Sequence, residues 1–197
     1  MFDCDEVRRA SLEGLGYSAY RVWDHVNERP LAEAVPDVEL RSGFSIRATT
    51  PVEARSLTQL GSVIFGGTGA VESMHADTAG PVGPASEWPR TLVVVAPDGQ
   101  LAGMVTIYLD RRNRVGLFEP VGVHPRFRRL GLARAAMAQG LREMAAAGMR
   151  VARVCHDATN VGAAGLYRSL GFEKRHTTLG YRRRDADDVS PVEEGAR

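Results

Sequence analysis

The clearest hydrophobic pattern in the chain predicts a helix over residues 131–147, which Gly148 ends. Its apolar side chains recur three or four residues apart, so they share one face of the helix. The opposite positions are mostly polar or small, as expected for a helix that packs on a sheet. The positions in this stripe are Leu130, Ala133, Met137, Leu141 and Met144.

Short apolar runs separated by turn residues predict strands over residues 91–96, 101–109 and 115–123, joined as an antiparallel meander. Further strands are predicted at 44–48, 151–155, 172–174 and 178–183, and a short helix at 161–169. Thr50, Pro51 and Glu53 form a strong helix start, with a helix reaching about Phe65. This order predicts an α/β fold: a mixed, mostly antiparallel central sheet with helices on both faces.

Residues 1–42 are interpreted as a lead segment and linker, because Pro30 and Pro36 interrupt regular structure. The triplet Leu15-Gly16-Tyr17 is similar to Leu170-Gly171-Phe172, although chance similarity remains an alternative. The lead segment is too apolar to stay free, so we predict that it docks on the chain's own sheet or across a dimer. The predicted domain covers residues 43–184, and residues 185–197 form a flexible tail.

Composition and charge limit the function. The 197 residues contain 25 basic and 24 acidic side chains, a balance that argues against a dedicated nucleic-acid binder. Cys4 and Cys155 lack the spacing of a metal site, so no metal is expected. The start of the chain is acidic, and no apolar run approaches the length of a membrane span. We expect a cytoplasmic protein that binds neither nucleic acid nor membrane.

A candidate phosphate-binding turn lies just before the long helix. A strand ends at Val123, a loop carries Arg128 and Arg129, and the helix begins at the small residues Gly131 and Ala133. A helix N-terminus offers unpaired N–H groups and a partial positive charge to an anion. The turn lacks a Walker lysine and a dinucleotide glycine pattern. A solvated arginine loop is the competing interpretation.

Two motifs resemble those of the GNAT superfamily of N-acetyltransferases. Arg128, Gly131 and Ala133 match its cofactor motif, and the segment from Asn160 through Tyr167 to Phe172 matches its second motif. Residues 119–125 further resemble the tandem GNAT proteins that include mycothiol synthase. The resemblance implies acetyl-CoA as co-substrate, in a splayed cleft between the strand ending at Val123 and strand 151–155. By the same comparison, residues 1–30 resemble the final strands of a first GNAT domain whose body is missing.

The resemblance assigns most of the cofactor site to backbone groups. The N–H groups of the turn would hold the pyrophosphate, while the strand before it and Asn160 would hold the pantetheine arm. Asn160 also fits an N-cap for the helix that follows it. The implied cofactor-binding residues are Val121, Gly122, Val123, Arg128, Arg129, Leu130, Gly131, Leu132, Ala133, Arg134 and Asn160.

The resemblance makes Tyr167 the general acid, near the sulfur of coenzyme A. Some family members carry a base five residues before Asn160, where this chain has Cys155. Glu119 is the preferred base because it shares the parity of Val121 and Val123 on its strand. His124, a water chain and the absence of any base remain alternatives.

We therefore expect an N-acyltransferase that moves an acetyl group from acetyl-CoA to a primary amine. The acceptor would be a small molecule or a peptide, approaching over residues 70–90 and the helix from Pro51. The alternative is a non-catalytic coenzyme-A-binding GNAT module, and a homodimer is left open.

Overall fold

The computed structural model describes residues 1–66 and 90–183. The expectations for the acceptor-side loop at 70–89 and for the tail at 185–197 lie outside these residues. The helices are α1 (Glu6–Gly14), α2 (Ala54–Phe65), α3 (Leu132–Ala146) and α4 (Val161–Ser169), with single 3-10 turns at Pro51–Glu53 and Pro125–Phe127. The strands are β1 (Tyr17–Pro30), β2 (Ser45–Ala48), β3 (Arg90–Val95), β4 (Leu101–Asp110), β5 (Val115–Val123), β6 (Val151–Asp157) and β7 (Glu173–Arg183).

The strands form one sheet in the order β2-β3-β4-β5-β6-β1-β7. Neighbouring strands run antiparallel except β5 and β6, which are parallel. The predicted α/β class and the mostly antiparallel sheet are therefore confirmed. None of the helices in the described ranges is both long and apolar enough to cross a membrane.

Helices cover both faces of the sheet. A Cβ on Gly116 of β5 would meet Met144 of α3, and one on Gly122 would meet Ile64 of α2. A bulge between these two positions reverses the alternation of side chains along β5. The two glycines therefore face opposite sides, with α3 on one face and α2 on the other.

The main core lies between α3 and the sheet. The predicted helix and its apolar stripe are confirmed, and the element ends within one residue of the predicted bounds. Of the predicted stripe, Met137, Leu141 and Met144 are fully buried, and so are Leu132 and Ala136, which the stripe did not include. Leu130 and Ala133, at the start of the stripe, are only partly buried: Leu130 packs against the edge of the core, and Ala133 faces the cleft.

The lead segment supplies an inner strand of the sheet. β1 pairs with β6 over residues 24–30 and with β7 over most of its length. Val26 and Arg29 are buried on it, and the Arg29 guanidinium donates to the carbonyl oxygens of Leu170 and Ala34. The segment before residue 43 is thus part of the same sheet as the predicted domain, while its descent from a lost first domain stays a prediction.

Two elements differ from the sequence-based expectations. Helix α1 was not expected, and it buries none of its residues, so it lacks the apolar stripe that reveals a packed helix. The two predicted closing strands form one strand, β7. It stays unbroken because β1 pairs with it along most of its length, with irregularities where the register of the pairing shifts. The start at Thr50 is confirmed: the Glu53 carboxylate accepts the Thr50 N–H at 2.8 Å.

Candidate active site

A cleft opens where β5 and β6 separate. Their parallel pairing stops at Phe118 and Val154, although both strands continue. Just beyond this point Glu119 and Pro120 of β5 lie opposite the single residue Thr106 of β4. Such a bulge bends a strand and increases its twist, which turns the end of β5 away from β6. The resulting cavity has a volume of about 700 Å³.

The cleft gathers almost all the residues that the sequence nominated. The nominated residues on its walls are Glu119, Val121, Gly122, Val123, Arg128, Arg129, Gly131, Leu132, Ala133, Arg134, Asn160 and Tyr167. Leu130 is not on the wall, because its side chain packs against the hydrophobic core. His124, the alternative base, is also absent from the wall, and its Nδ1 accepts the Arg126 N–H at 3.2 Å to shape the turn.

The turn before α3 has the geometry of an anion site. Arg129 and Gly131 have positive φ angles of 64° and 75°, and the first residues of α3, Leu132 to Arg134, line the cleft. The first turn of a helix leaves these groups without helical partners. Arg128 and Arg129 are exposed beside them. The helix start and the two arginines together give this place the charge and the donors that favour an anion.

Arg134 gives an independent sign that this turn suits an anion. Its Nε atom is buried and has no hydrogen-bond partner among the described residues. A buried donor without a partner costs free energy, about 1–3 kcal/mol. Since Arg134 lines the cleft, an oxygen of a bound phosphate would satisfy this donor. The residues of this turn are thus chemically suited to a pyrophosphate group such as that of coenzyme A.

The free edge of β5 presents backbone groups to the cleft. The His124 N–H donates to the Ala102 carbonyl of β4 at 2.9 Å. Because backbone groups alternate between the two edges of a strand, those of Val123 and Val121 point away from β4. These groups are available to an extended ligand that adds to the edge like a strand.

Gly122 has a packing role within this edge. A Cβ there would lie 2.5 Å from Ile64 and 2.9 Å from Phe65, both at the end of α2. Any larger residue would push the end of α2 away from β5. Glycine at this position therefore allows Ile64 and Phe65 to form part of the cleft wall.

Asn160 combines the two roles expected of it. Its Oδ1 accepts the Ala163 N–H at 3.0 Å and so caps α4, which carries Tyr167. The residue also lines the cleft. The cap fixes the start of the helix that orients Tyr167.

Tyr167 is held firmly on the wall of the cleft. Its ring is buried and lies 5.7 Å from the ring of His156 and 6.0 Å from that of Phe172. Burial, with the nearby Glu119 and Cys155, raises the pKa of the Tyr167 hydroxyl well above its ordinary value. The phenol is therefore protonated at neutral pH and available as a proton donor.

Glu119 points into the cleft at the bulge of β5. Enclosure by the cleft walls, and then the Asp24 carboxylate, raise the pKa of Glu119 above its usual 4.5, although the side chain remains open to the cleft. The parity argument for Glu119 was wrong, because the bulge breaks the alternation between residues 118 and 121. The bulge itself brings Glu119 to the wall.

Sequence reasoning missed Asp24 of β1. Its main-chain N–H and its carboxylate both bond the Thr178 hydroxyl of β7 at 3.0 Å, and its charge acts on Glu119 and Cys155. The available signal was a carboxylate inside an apolar, strand-like run from Tyr20 to Val26. We call Glu119, Cys155 and Tyr167, together with Asp24, which acts on them by its charge and is not on the wall, the acidic end of the cleft.

Cys155 occupies the place where some family members carry a base. Burial, with Glu119 and Asp24 nearby, raises the pKa of its thiol. Nucleophilic cysteines have lowered pKa values, so this side chain is a neutral part of the wall.

A family model described as the acetyltransferase (GNAT) family matches residues 65–172, more than half of the chain. The chain belongs to the GNAT acetyltransferase family. The match spans the cleft walls formed by β5, the turn, α3, β6 and α4, which are the elements that carry the two motifs.

Two curated relatives are similar to part of this GNAT chain. Both are named mycothiol acetyltransferase: the one from Streptomyces avermitilis is 32% identical over 100 residues, and the one from Streptomyces coelicolor is 31% identical over 100 residues. Each match covers 50% of this chain and 32% of the relative. The chain therefore spans about a third of the length of the curated relatives it matches.

Solved structures share the fold. A GCN5-related N-acetyltransferase from Sphaerobacter thermophilus has a TM-score of 0.70 at 22% identity, covering 91% of this chain and 56% of that one. A tandem GNAT protein from the clavulanic acid biosynthesis pathway has a TM-score of 0.69 at 19% identity, covering 90% and 57%. The coverage of this chain includes most of the described sheet.

Proposed function

We propose that this chain transfers the acetyl group of acetyl-CoA directly to a primary amine in the cleft between β5 and β6. The observation that carries the proposal is that one cavity is lined both by the turn before α3, which suits an anion, and by Tyr167 and Glu119. Acetyl-CoA supplies an activated acyl group as a thioester. The chain's own residues bind, orient and exchange protons.

The reaction follows from the protonation states at the acidic end. The amine nitrogen attacks the thioester carbonyl carbon, a C–N bond forms, and the C–S bond breaks. Tyr167, whose raised pKa keeps its proton in place, gives that proton to the leaving sulfur. Glu119, as carboxylate, accepts the proton lost by the amine, directly or through water. Solvent then returns a proton to Tyr167 and removes one from Glu119.

The charge of the acidic end also favours amine acceptors. Asp24 lies near enough to Glu119 to act on its pKa, so two carboxyl groups are close to each other at this end. A cationic ammonium group would be attracted to this end and would lose its proton there. We infer that the acceptor is a primary amine of a small molecule or peptide, in line with the acetyltransferase names of the relatives.

The test pairs release of free thiol from acetyl-CoA, over a panel of amino acids, polyamines, aminoglycoside-type amines and short peptides, with a coenzyme A binding titration. We expect both binding and amine-dependent release, and Glu119→Gln should retain binding while losing most of the release. Binding without release on any amine would instead support the non-catalytic coenzyme-A module. Absence of binding would contradict both.

A further inference from the structure

A second cluster of ligating side chains lies where the start of the chain crosses β7. Asp3, Cys4 and His176 each place a ligand atom within 4.8 Å of the other two. Main-chain bonds hold the crossing in place: the Asp3 N–H donates to the Thr177 carbonyl at 2.9 Å, and the Leu179 N–H donates to the Met1 carbonyl at 2.7 Å. The cluster is thus fixed by the backbone and not only by side-chain rotamers.

The spacing of Asp3 and His176 fits two ligands of one metal better than an ion pair. Asp3 Oδ1 lies 3.5 Å from His176 Nδ1. A charged hydrogen bond would be about 2.7–2.9 Å long, and Oδ1 is buried without a hydrogen-bond partner among the described residues. Two such atoms bound tetrahedrally at about 2.0–2.1 Å from zinc lie about 3.4 Å apart.

The remaining contacts of Asp3 leave that oxygen free and fix its direction. The Thr177 hydroxyl donates to the other carboxylate oxygen, Oδ2, at 2.9 Å. Arg9 donates to the main-chain carbonyl of Asp3 at 3.1 Å and not to its carboxylate. A hydrogen bond that orients a ligating carboxylate in this way is typical of metal sites.

We propose that Asp3, Cys4 and His176 bind one zinc-class divalent cation, with water in the fourth position. Sulfur, imidazole nitrogen and carboxylate oxygen together suit Zn²⁺ and disfavour Mg²⁺ or Ca²⁺, which prefer oxygen ligands. Cys4 is exposed, so the cation has a path of entry. The bound ion would fasten the start of the chain to the edge of β7 that lies opposite β1.

Spacing along the chain could not reveal this site. Asp3 and Cys4 are adjacent, whereas His176 lies more than 170 residues away and reaches them only through the pairing of residue 2 with Thr178. The site involves none of the residues that line the cleft, so its test is independent of the proposed acetyl transfer.

The experiment is a cobalt titration of the full chain after removal of metal with a chelator. We expect a thiolate-to-cobalt charge-transfer band that saturates at one equivalent, disappears on addition of zinc, and is accompanied by a higher Tm in zinc. Cys4→Ser should abolish the band, and His176→Gln should weaken cobalt binding by at least about 10-fold. Cys155→Ser, which removes the other cysteine, should leave band and affinity unchanged.

Several results would overturn the proposal. One is the absence of a charge-transfer band in the wild type. Another is a band that survives in Cys4→Ser or is lost in Cys155→Ser. A third is an equal rise of Tm with zinc in wild type and Cys4→Ser. Because Cys4 is exposed, the Cys4→Ser variant should fold, so the two Tm values can be compared.

Discussion

The two ends of the cleft are built in different ways. The turn from residue 128 to residue 134 is one continuous segment, and the groups proposed to bind the anion belong to one helix start and its arginines. The acidic end takes one residue each from β1, β5, β6 and α4. A binding site made of neighbouring residues can be predicted from a motif, whereas a reaction site assembled by strand pairing depends on the whole sheet.

The strand order explains why the acidic end is harder to predict from the sequence than the turn. Asp24 reaches it only because β1 inserts between β6 and β7. Glu119 reaches it only because β5 carries a bulge opposite Thr106. The insertion of β1 depends on partner strands far away in the chain. The bulge depends on the pairing with β4 and includes Pro120, which has no N–H to donate to the ladder.

Removing β1 is expected to have the largest effect. Deletion of residues 1–30 would leave β6 and β7 without their shared partner and remove the buried Val26 and Arg29. We expect loss of cooperative thermal unfolding and of coenzyme A binding, so both ends of the cleft fail together. The matched control is deletion of residues 1–14, which removes α1 with no buried side chain and should retain a single unfolding transition. Equal Tm values for wild type and the longer deletion would mean that β1 contributes little to the sheet.

Tyr167→Phe separates chemistry from binding. The change removes one hydroxyl from a buried ring and leaves its packing on His156 and Phe172 nearly intact. We expect kcat to fall by about 10²–10⁴-fold, the usual contribution of a general acid, while the Kd for coenzyme A stays nearly constant. Steady-state kinetics on a productive amine, with calorimetric titration, gives both values. An unchanged kcat would show that water protonates the departing sulfur.

Gly131→Glu tests the turn at the other end of the cleft, where the expected effect is on the Kd for coenzyme A. The new carboxylate would occupy open space beside the first turn of α3, where the pyrophosphate is expected. Loss of even one charge-assisted bond corresponds to at least about 10-fold weaker binding. Gly131→Ala is the control, because it imposes the same demand for a positive φ of 75° without charge or length. If the Glu and Ala variants bind coenzyme A equally, the pyrophosphate does not lie against this turn.

Asp24→Asn is expected to have the smallest effect, which a pH profile of kcat/KM is needed to detect. The carboxylate of Asp24 raises the pKa of Glu119, so its removal should lower that pKa. Glu119 accepts a proton only when it is ionised, so activity rises with pH through the pKa of Glu119. In Asp24→Asn, this acid limb of the kcat/KM profile should therefore move to lower pH, by less than about one pH unit. Asn retains an oxygen for the Thr178 hydroxyl. Glu28→Gln on the same strand should leave the limb in place, and a limb that moves upward in Asp24→Asn would exclude this coupling.

Sequence patterns located the elements whose cause is local. The stripe on α3, the meander of β3, β4 and β5, and the start at Thr50 all depend on residues within a few positions of one another. The long β1, the unbroken β7 and the unexpected α1 depend on pairing or lie outside the core, so periodicity could not define them. The same division runs through the cleft: residues 128–134 were nominated together, while Asp24 and the wall residues Ile64 and Phe65 were not.

The most direct test of this division is a crystal structure of the chain with coenzyme A. We expect the pyrophosphate against the N–H groups of Leu132, Ala133 and Arg134, the pantetheine arm along Val121 and Val123, and the sulfur beside the Tyr167 hydroxyl. This orientation assigns binding to the continuous turn and chemistry to the assembled acidic end. Coenzyme A lying outside the gap between β5 and β6, or in the gap with its phosphates at Glu119, would contradict it.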